Sequence, residues 1–390
     1  MLYPQIKLNK TGIKKYFQNS LWFTSKDIDN FEKLKTSIEP GGLVSIVSPE
    51  NYFLGQGYFN PKSYYCLKLL TKENIPIDEK FFYAQFSKAL SLRKKIYPNE
   101  KAFRLVFSEG DFLPGIIIDV FDKVIVVQLY TLGMEKLKNF IISALKNLLT
   151  PEVIVFKNDS SKRKEEGLEL YTEVVEGNLK DPVLIEIDEI KFLIPIINGQ
   201  KTGFFLDQRE NRRFIRKLSQ DMIVLDVFSY IGGFSFYALK GGAKRAFLID
   251  RSELALNVAE EIAKINGWKD KIIIVKSDAF KVLKDPPESN LIILDPPAFI
   301  KSKKDIDLGI KKYEKLYFLG LKNLQKGLFF PFSCSYFLKM DTFWKMIIKE
   351  LIKLRINGKI IYQGFQAFDH PINPNVEETF YLKGLGIWVE

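Results

Sequence analysis

"MIVLDVFSYIGGFSFYALKGGAKRAFLID" (Met222–Asp250) opens with a short β-branched run, turns through paired glycines, continues as an apolar stretch and ends in a second β-branched run. Two more such runs follow, "KIIIVKSD" (Lys271–Asp278) and "NLIILD" (Asn290–Asp295), with helical or mixed segments between them. Short apolar runs of this kind suit strands buried on both faces. Their alternation with helices argues for an α/β fold with an open, mostly parallel sheet. Ser252 reads as the N-cap of a helix carrying Leu254, Ala255, Val258, Ala259, Ile262 and Ile265 on one face, stopped by Gly267.

Ligands bind such sheets beyond the carboxyl ends of the strands. Those ends carry Asp226, Asp250, Asp278 and Asp295, followed by Cys334 in "GLFFPFSCSYFL" (Gly327–Leu338). One acid at one strand end is ordinary helix capping. Four in succession, with a glycine loop after the first, outline a nucleoside-shaped site. The loop Phe228 to Gly233 does not match the G-x-G-x-x-G fingerprint that seats a pyrophosphate on a helix N-terminus. Asp250 can accept hydrogen bonds from ribose hydroxyls, and Asp278 from an adenine amino group. The expected ligand therefore carries adenosine without phosphate, which points to S-adenosylmethionine rather than NAD.

Working outward, a chain of 390 residues has material for two or three domains. With 46% hydrophobic and 27% charged residues it reads as a soluble globular protein. No uncharged stretch suits a bilayer span and the start lacks a signal-peptide core, so the expected location is the cytoplasm. Cys66 and Cys334, the two cysteines, give neither a disulfide framework nor a metal cluster, and the single histidine, His370, argues against a histidine-built zinc site. A net charge of +11 favours a polyanionic partner, although lysine-rich surfaces also serve solubility alone.

Three regions are expected. Residues 1–72 read as a small β-barrel, with "GGLVSIVSPENYFLGQGYFNPKS" (Gly41–Ser63) alternating apolar and polar residues across a turn. Residues 73–180 mix strands with helices near Phe81–Ile96 and Met134–Leu149, and "SSKRKEEG" (Ser160–Gly167) reads as a solvated charged loop. Residues 181–390 hold the strand–helix alternation.

The chain resembles the class I methyltransferases that form 5-methylcytosine in large-subunit ribosomal RNA and carry an N-terminal PUA domain. The likeness runs over nearly the whole chain. It rests on "RLVFSEGDFLPGIIIDVF", "NGQKTGFFLDQRENRR" (Asn198–Arg213), "LDVFSYIGGFSFYALKGGAK", "ILDPPAF", "FSCS", "DHP" and "YLKG". The resemblance implies a PUA-like barrel, a small α/β middle domain and a Rossmann-like methyltransferase domain. It also implies that Asp226, Phe228, Tyr230, Gly232, Asp250 and Arg251 hold the methionine and ribose parts of S-adenosylmethionine. Asp278 and Ala279 would hold adenine, Asp295 would border both cofactor and target base, and Phe204 and Gln208 would close over one of them.

C5 of cytosine is too electron-poor to attack a sulfonium methyl unaided. A thiolate adding to C6 makes C5 nucleophilic, which gives Cys334 its expected catalytic role, with Asp295 supporting the charge that develops on the base. A lone cysteine in an apolar strand is otherwise usually core filler, which is the reading for Cys66. Related RNA enzymes carry a second cysteine where this chain has Ala298, and His370 is a candidate base or a turn residue before Pro371. A target base must be unpaired or flipped to enter such a site. Lysines of "KSKK" (Lys301–Lys304) and "IKKYEKLY" (Ile310–Tyr317) could hold RNA phosphates, and Tyr58, Phe59, Tyr64 and Tyr65 could stack on bases. RNA is thus the expected partner, with no metal and no membrane, for a monomer or homodimer. Two rival readings are an RNA N-methyltransferase using Asp295-Pro296-Pro297-Ala298-Phe299 and a noncatalytic RNA-binding assembly factor; a nicotinamide oxidoreductase ranks behind both.

Overall fold

The computed structural model describes residues 2–390, which form two compact units. The first takes the chain up to Ile185, Ile194–Phe204 and Phe368–Thr379; the second takes Glu186–Leu193, Phe205–Ala367 and Phe380–Glu390. No helix of the described residues is long and apolar enough to cross a membrane.

In the first unit the alternating stretch forms a hairpin of strands Gly42–Val47 and Phe53–Phe59, turning at Asn51 with φ 69°. They belong to a five-stranded sheet in the order Gln5–Lys7, Gly42–Val47, Phe53–Phe59, Leu67–Thr71, Trp22–Phe23. Gly57 is required there, since a Cβ would sit 1.9 Å from the Lys68 carbonyl oxygen. Ile6, Phe23, Val44, Phe59, Cys66 and Leu67 fill the core beneath. Tyr58 and Phe59 are wholly buried, whereas Tyr64 and Tyr65 are exposed.

A second five-stranded sheet runs Tyr171–Glu176, Val153–Asn158, Val124–Leu129, Ile116–Phe121, Ala102–Phe107. Helices Glu79–Ile96 and Lys138–Leu149 cover it through Phe82, Phe86, Ile141 and Leu145. The expected helix Met134–Leu149 is two helices, Leu132–Lys136 and Lys138–Leu149, meeting at Leu137.

The loop Ser160–Gly167 departs from its sequence reading. Arg163 and Glu166 are buried, not solvated, within the short helical turn Ser161–Glu166. Glu166 receives Lys68 Nζ at 2.8 Å and Asn60 Nδ2 at 2.7 Å, and Arg163 pairs with Glu135 at 2.9 Å. Those partners lie far away in sequence, so the charge run looked like an exposed loop.

Residues Phe368–Thr379 lie with the first unit, although the sequence reading counted them in its third region. Two buried arginines explain the return. Arg93 donates to the Asp369 carbonyl at 2.9 Å, and the Arg104 backbone N–H donates to Asp369 Oδ2 at 2.9 Å. The Arg104 side chain grips Asp119 at 2.8 and 2.7 Å, and Asp119 also accepts from Thr202 at 2.5 Å. His370, buried, bonds Asp369 through Nδ1 at 2.7 Å and packs on Phe107.

The second unit is built on a seven-stranded sheet in the order Ile272–Lys276, Arg245–Asp250, Ile223–Val227, Leu291–Leu294, Gly327–Ser333, Lys383–Val389, Gly358–Gly364. The first five are parallel, and Lys383–Val389 is antiparallel to both its neighbours. The Ser252 hydroxyl caps helix Glu253–Ile265 by accepting Ala255 N–H, and Gly267 ends that turn with φ 73°. Helix Ile306–Lys322 lays Tyr313, Leu316, Tyr317 and Leu321 into a core with Leu294 and Phe329. From the central strand Ile223–Val227 the chain first builds outward on one side, then crosses to the other. That reversal opens a crevice at the strands' carboxyl ends.

Breaking the buried Lys68–Glu166 pair strands a cation, so Glu166→Ala should lower unfolding stability by about 3 kcal/mol. Glu173→Ala, which removes the exposed partner of Lys138, should cost under ~1 kcal/mol. Urea titration of both variants reads the contrast.

Candidate active site

The first strand of the crevice ends in a bent loop. Phe228, Tyr230 and Gly232 take left-handed φ values of 67°, 53° and 80° before helix Gly233–Lys240 begins. Such backbone costs non-glycine residues roughly 1 kcal/mol or more each, and it persists where neighbours hold it. Here Asp250 holds it. Its Oδ2 accepts the Tyr230 N–H at 2.9 Å while its Oδ1 accepts that of Ser252 at 2.8 Å, so one carboxylate ties the loop to the adjacent helix start. A side chain at Gly232 would collide with Phe236 and Leu248.

Asp226 is wholly buried beneath this loop. Its Oδ2 accepts from Ser235 N–H at 3.0 Å and from Ser235 Oγ at 2.7 Å. Its Oδ1 is buried with no hydrogen-bond partner among the described residues, and neither has Ser229 Oγ. Burial pushes the Asp226 carboxyl up to about 6, against the opposing pull of Ser235 and Arg212. A buried acceptor of this kind calls for a donor. The ammonium of a bound amino-acid ligand supplies one, so these residues fit the methionine end of S-adenosylmethionine.

Further along the crevice, Asp278 caps the short helix Ala279–Val282 through the Lys281 N–H at 3.1 Å and pairs with exposed Arg251. Ala279 is buried beside it. Gln208 is buried, and its Oε1 accepts Asn211 Nδ2 at 2.5 Å; Asn211 in turn accepts from Tyr362 at 2.9 Å. Phe204, also buried, is counted with the first unit and Gln208 with the second.

The other half of the crevice is built from two adjoining loops. Asp295 follows strand Leu291–Leu294, and its N–H donates to the Val227 carbonyl at 3.3 Å. Cys334 follows strand Gly327–Ser333, half-buried, with its Sγ 3.8 Å from the Pro296 carbonyl oxygen. The serine beyond the sulfur joins the two loops. Ser335 Oγ accepts the Ile300 N–H at 3.2 Å and shares a 2.8 Å hydrogen bond with the Tyr313 hydroxyl, which accepts the Phe299 N–H at 3.3 Å. Cys66, by contrast, is buried in the barrel core, where burial pushes its thiol up to about 11. Among the described residues no cluster of histidine, cysteine, aspartate and glutamate is arranged to hold a metal ion.

Three participants escaped the sequence reading. Arg212, buried on helix Arg209–Leu218, sits 5.4 Å from the Phe234 ring; burial lowers its pKa, against the attraction of Asp207, Asp295 and Asp226. Asp207 accepts from the Tyr381 hydroxyl at 2.6 Å. The spacing of Arg209 and Arg212, one helical turn apart in a block otherwise polar, was the available signal. Tyr313 and Lys383 lie in the quoted blocks "IKKYEKLY" and "YLKG", but neither stands out there from an ordinary helix or strand residue.

A crevice at the switch point of a parallel sheet, with a carboxylate beneath its glycine loop, marks a Rossmann-like domain that takes a nucleoside ligand. Residues 171–316 match the S-adenosylmethionine-dependent methyltransferase family and residues 6–72 the PUA-like domain. Over 363 residues the chain is 38% identical to ribosomal RNA large subunit methyltransferase I of Alteromonas mediterranea, covering 90% of this chain and 91% of that protein. It is 33% identical over 392 residues to the protein of the same name from Vibrio cholerae serotype O1, covering 98% of each. The chain belongs to this ribosomal RNA large subunit methyltransferase I family. Its fold also follows the crystal structure of SMU.776 complexed with SAH, with a TM-score of 0.83 at 22% identity over 100% of each chain.

S-adenosylmethionine affinity should climb with pH up to about 6 and level off above, because a cation seated on ionised Asp226 displaces its proton below that point. Calorimetric titration of Asp226→Asn should show affinity lower by about tenfold and the pH dependence gone. Tyr313→Phe, which removes one hydroxyl from the loop junction, should lower kcat about tenfold while costing only ~1 kcal/mol of stability. Methyl transfer to RNA and a thermal melt measure the two effects.

Proposed function

We propose that this protein methylates C5 of a cytosine in large-subunit ribosomal RNA, using the Cys334 thiolate as nucleophile. The observation that carries the reading is the sulfur's place: 3.8 Å from the Pro296 carbonyl oxygen, on the loop that begins with Asp295. The names of the relatives supply the RNA class. The cytoplasm, where ribosomal RNA is handled in a bacterium, is the proposed place of action.

The Cys334 thiolate adds to C6, forming the S–C6 bond and moving the C5–C6 π electrons onto C5 and the ring. Asp295, at the neighbouring strand end, hydrogen-bonds the amino edge and ring nitrogen and so supports the charge on the base. Bound S-adenosylmethionine supplies an electrophilic methyl group. Loss of the C5 proton then restores the double bond and expels the sulfur. Ala298 leaves the Asp295 loop without a thiol for that proton, and His370 is occupied by Asp369 in the first unit.

Cofactor contacts are assigned to Asp226, Phe228, Tyr230, Gly232, Asp250, Arg251, Asp278, Ala279 and Asp295, with Phe204 and Gln208 as closing residues. Exposed Lys301, Lys303 and Lys304 beyond Asp295, with Lys311, Lys312 and Lys315 on helix Ile306–Lys322, suit an RNA backbone. Exposed Tyr64 and Tyr65, packed edge to face with Trp22 beside Tyr65, suit base stacking on the PUA-like module.

Incubation with S-adenosylmethionine and RNA containing 5-fluorocytidine should give a denaturation-resistant protein–RNA adduct at Cys334, because fluorine cannot leave as a cation. Cys334→Ala should abolish both adduct and methyl transfer. Full methylation by that variant would instead assign the chemistry to an exocyclic amine held at Asp295–Phe299.

A further inference from the structure

A buried lysine reaches the turn that carries the sulfur. Lys383 opens strand Lys383–Val389 and pairs in register with Ser333, the residue before Cys334. Its side chain is 2% exposed, and Nζ donates to the Ser335 carbonyl at 3.0 Å and the Tyr381 carbonyl at 2.6 Å. Both acceptors are neutral. Among the described residues Lys383 forms an ion pair with no carboxylate. A buried ammonium without a counter-ion costs several kcal/mol, which two neutral carbonyl acceptors offset only in part.

We propose that Lys383 is a positioning residue whose ammonium holds Cys334 as a thiolate before the RNA arrives. This rests on the reading of Cys334 as nucleophile. The thiol proton leaves to solvent and Lys383 keeps its own proton throughout. When sulfur bonds to C6 the negative charge moves onto the base, and it returns to the sulfur when the S–C6 bond breaks.

The surroundings agree with that assignment. Burial pushes the Lys383 amine down to about 8, with Lys339 adding to the lowering and the Cys334 sulfur opposing it, so the amine is still mainly charged at neutral pH. From helix Ile306–Lys322, Tyr313 and Tyr317 face the same sulfur; burial raises both phenols, Tyr313 to about 12, so they stay neutral. The Asp295 charge adds to the raising of the Tyr317 phenol, and the Phe380 ring lies 6.0 Å from Lys383 Nζ.

Alkylation by iodoacetamide tests this on the full chain without RNA or cofactor. Rates are read from pH ~5 to ~10 by peptide mass at Cys334, with buried Cys66 as internal control. The expected midpoint for Cys334 lies below the ~8.5 of an unperturbed thiol. Lys383→Met should raise it by about one pH unit or more and slow alkylation at neutral pH about tenfold, while Lys383→Arg keeps it low. Lys383→Gln replaces the methionine variant if that one loses its cooperative melt. An unperturbed or raised midpoint in the parent chain overturns the proposal whatever the variants do, as does a midpoint that Lys383→Met leaves in place. A low, lysine-dependent midpoint without a 5-fluorocytidine adduct would overturn the C5 reading alone; an adduct with an unmoved midpoint would overturn the Lys383 role alone.

Discussion

Parallel pairing of strand Leu291–Leu294 with Gly327–Ser333, with Leu294 opposite Pro331, brings the loops of Asp295 and Cys334 together. Each loop leaves its strand within a few residues of that pairing, so Asp295 and Cys334 are delivered to one end of the sheet by backbone hydrogen bonds. Moving the register by one residue would turn every side chain of the strand to the opposite face and carry the sulfur with it. Ser335 and Tyr313 then hold the loops to each other beyond the last ladder bond. The two serines around the cysteine are therefore not equivalent: Ser333 accepts the Ser335 N–H within its own turn, while Ser335 ties across to Ile300.

Buried charge distinguishes the second unit's crevice from the ion pairs of the first. Lys68 with Glu166 and Arg104 with Asp119 are matched pairs, each cation meeting its carboxylate directly. Around the crevice the match is looser. Among the described residues, Asp226 keeps one oxygen without a hydrogen-bond partner, and Lys383 donates to carbonyl oxygens with no carboxylate beside it. In a matched pair each charge offsets the burial of the other, so losing either partner is costly, whereas a buried charge without a matched partner leaves a place for a bound one.

The bent loop between Asp226 and Gly233 follows the same logic. Left-handed backbone at Phe228 and Tyr230 is unfavourable locally, and Asp250 compensates through the Tyr230 N–H. The same carboxylate that orders the loop is the one proposed to meet the ribose hydroxyls.

Much of this was legible in the sequence. Period-two and β-branched runs marked the hairpin Gly42–Val47 with Phe53–Phe59 and the parallel strands, because burial on a pleated sheet leaves its period in the residues. Acids at successive strand ends marked the crevice, because parallel strands all finish on one side. The burial of Arg163 and Glu166, the return of Phe368–Thr379 to the first unit, and the placing of Tyr313, Arg212 and Lys383 were decided by tertiary structure alone. Each depends on a partner distant in the chain: Glu135, Lys68, Arg93 with Arg104, Ser335, Phe234 or the carbonyl of Ser335. Periodicity records which face of a strand or helix is buried, but a charge buried against a distant partner leaves no period, so only the folded chain reveals it.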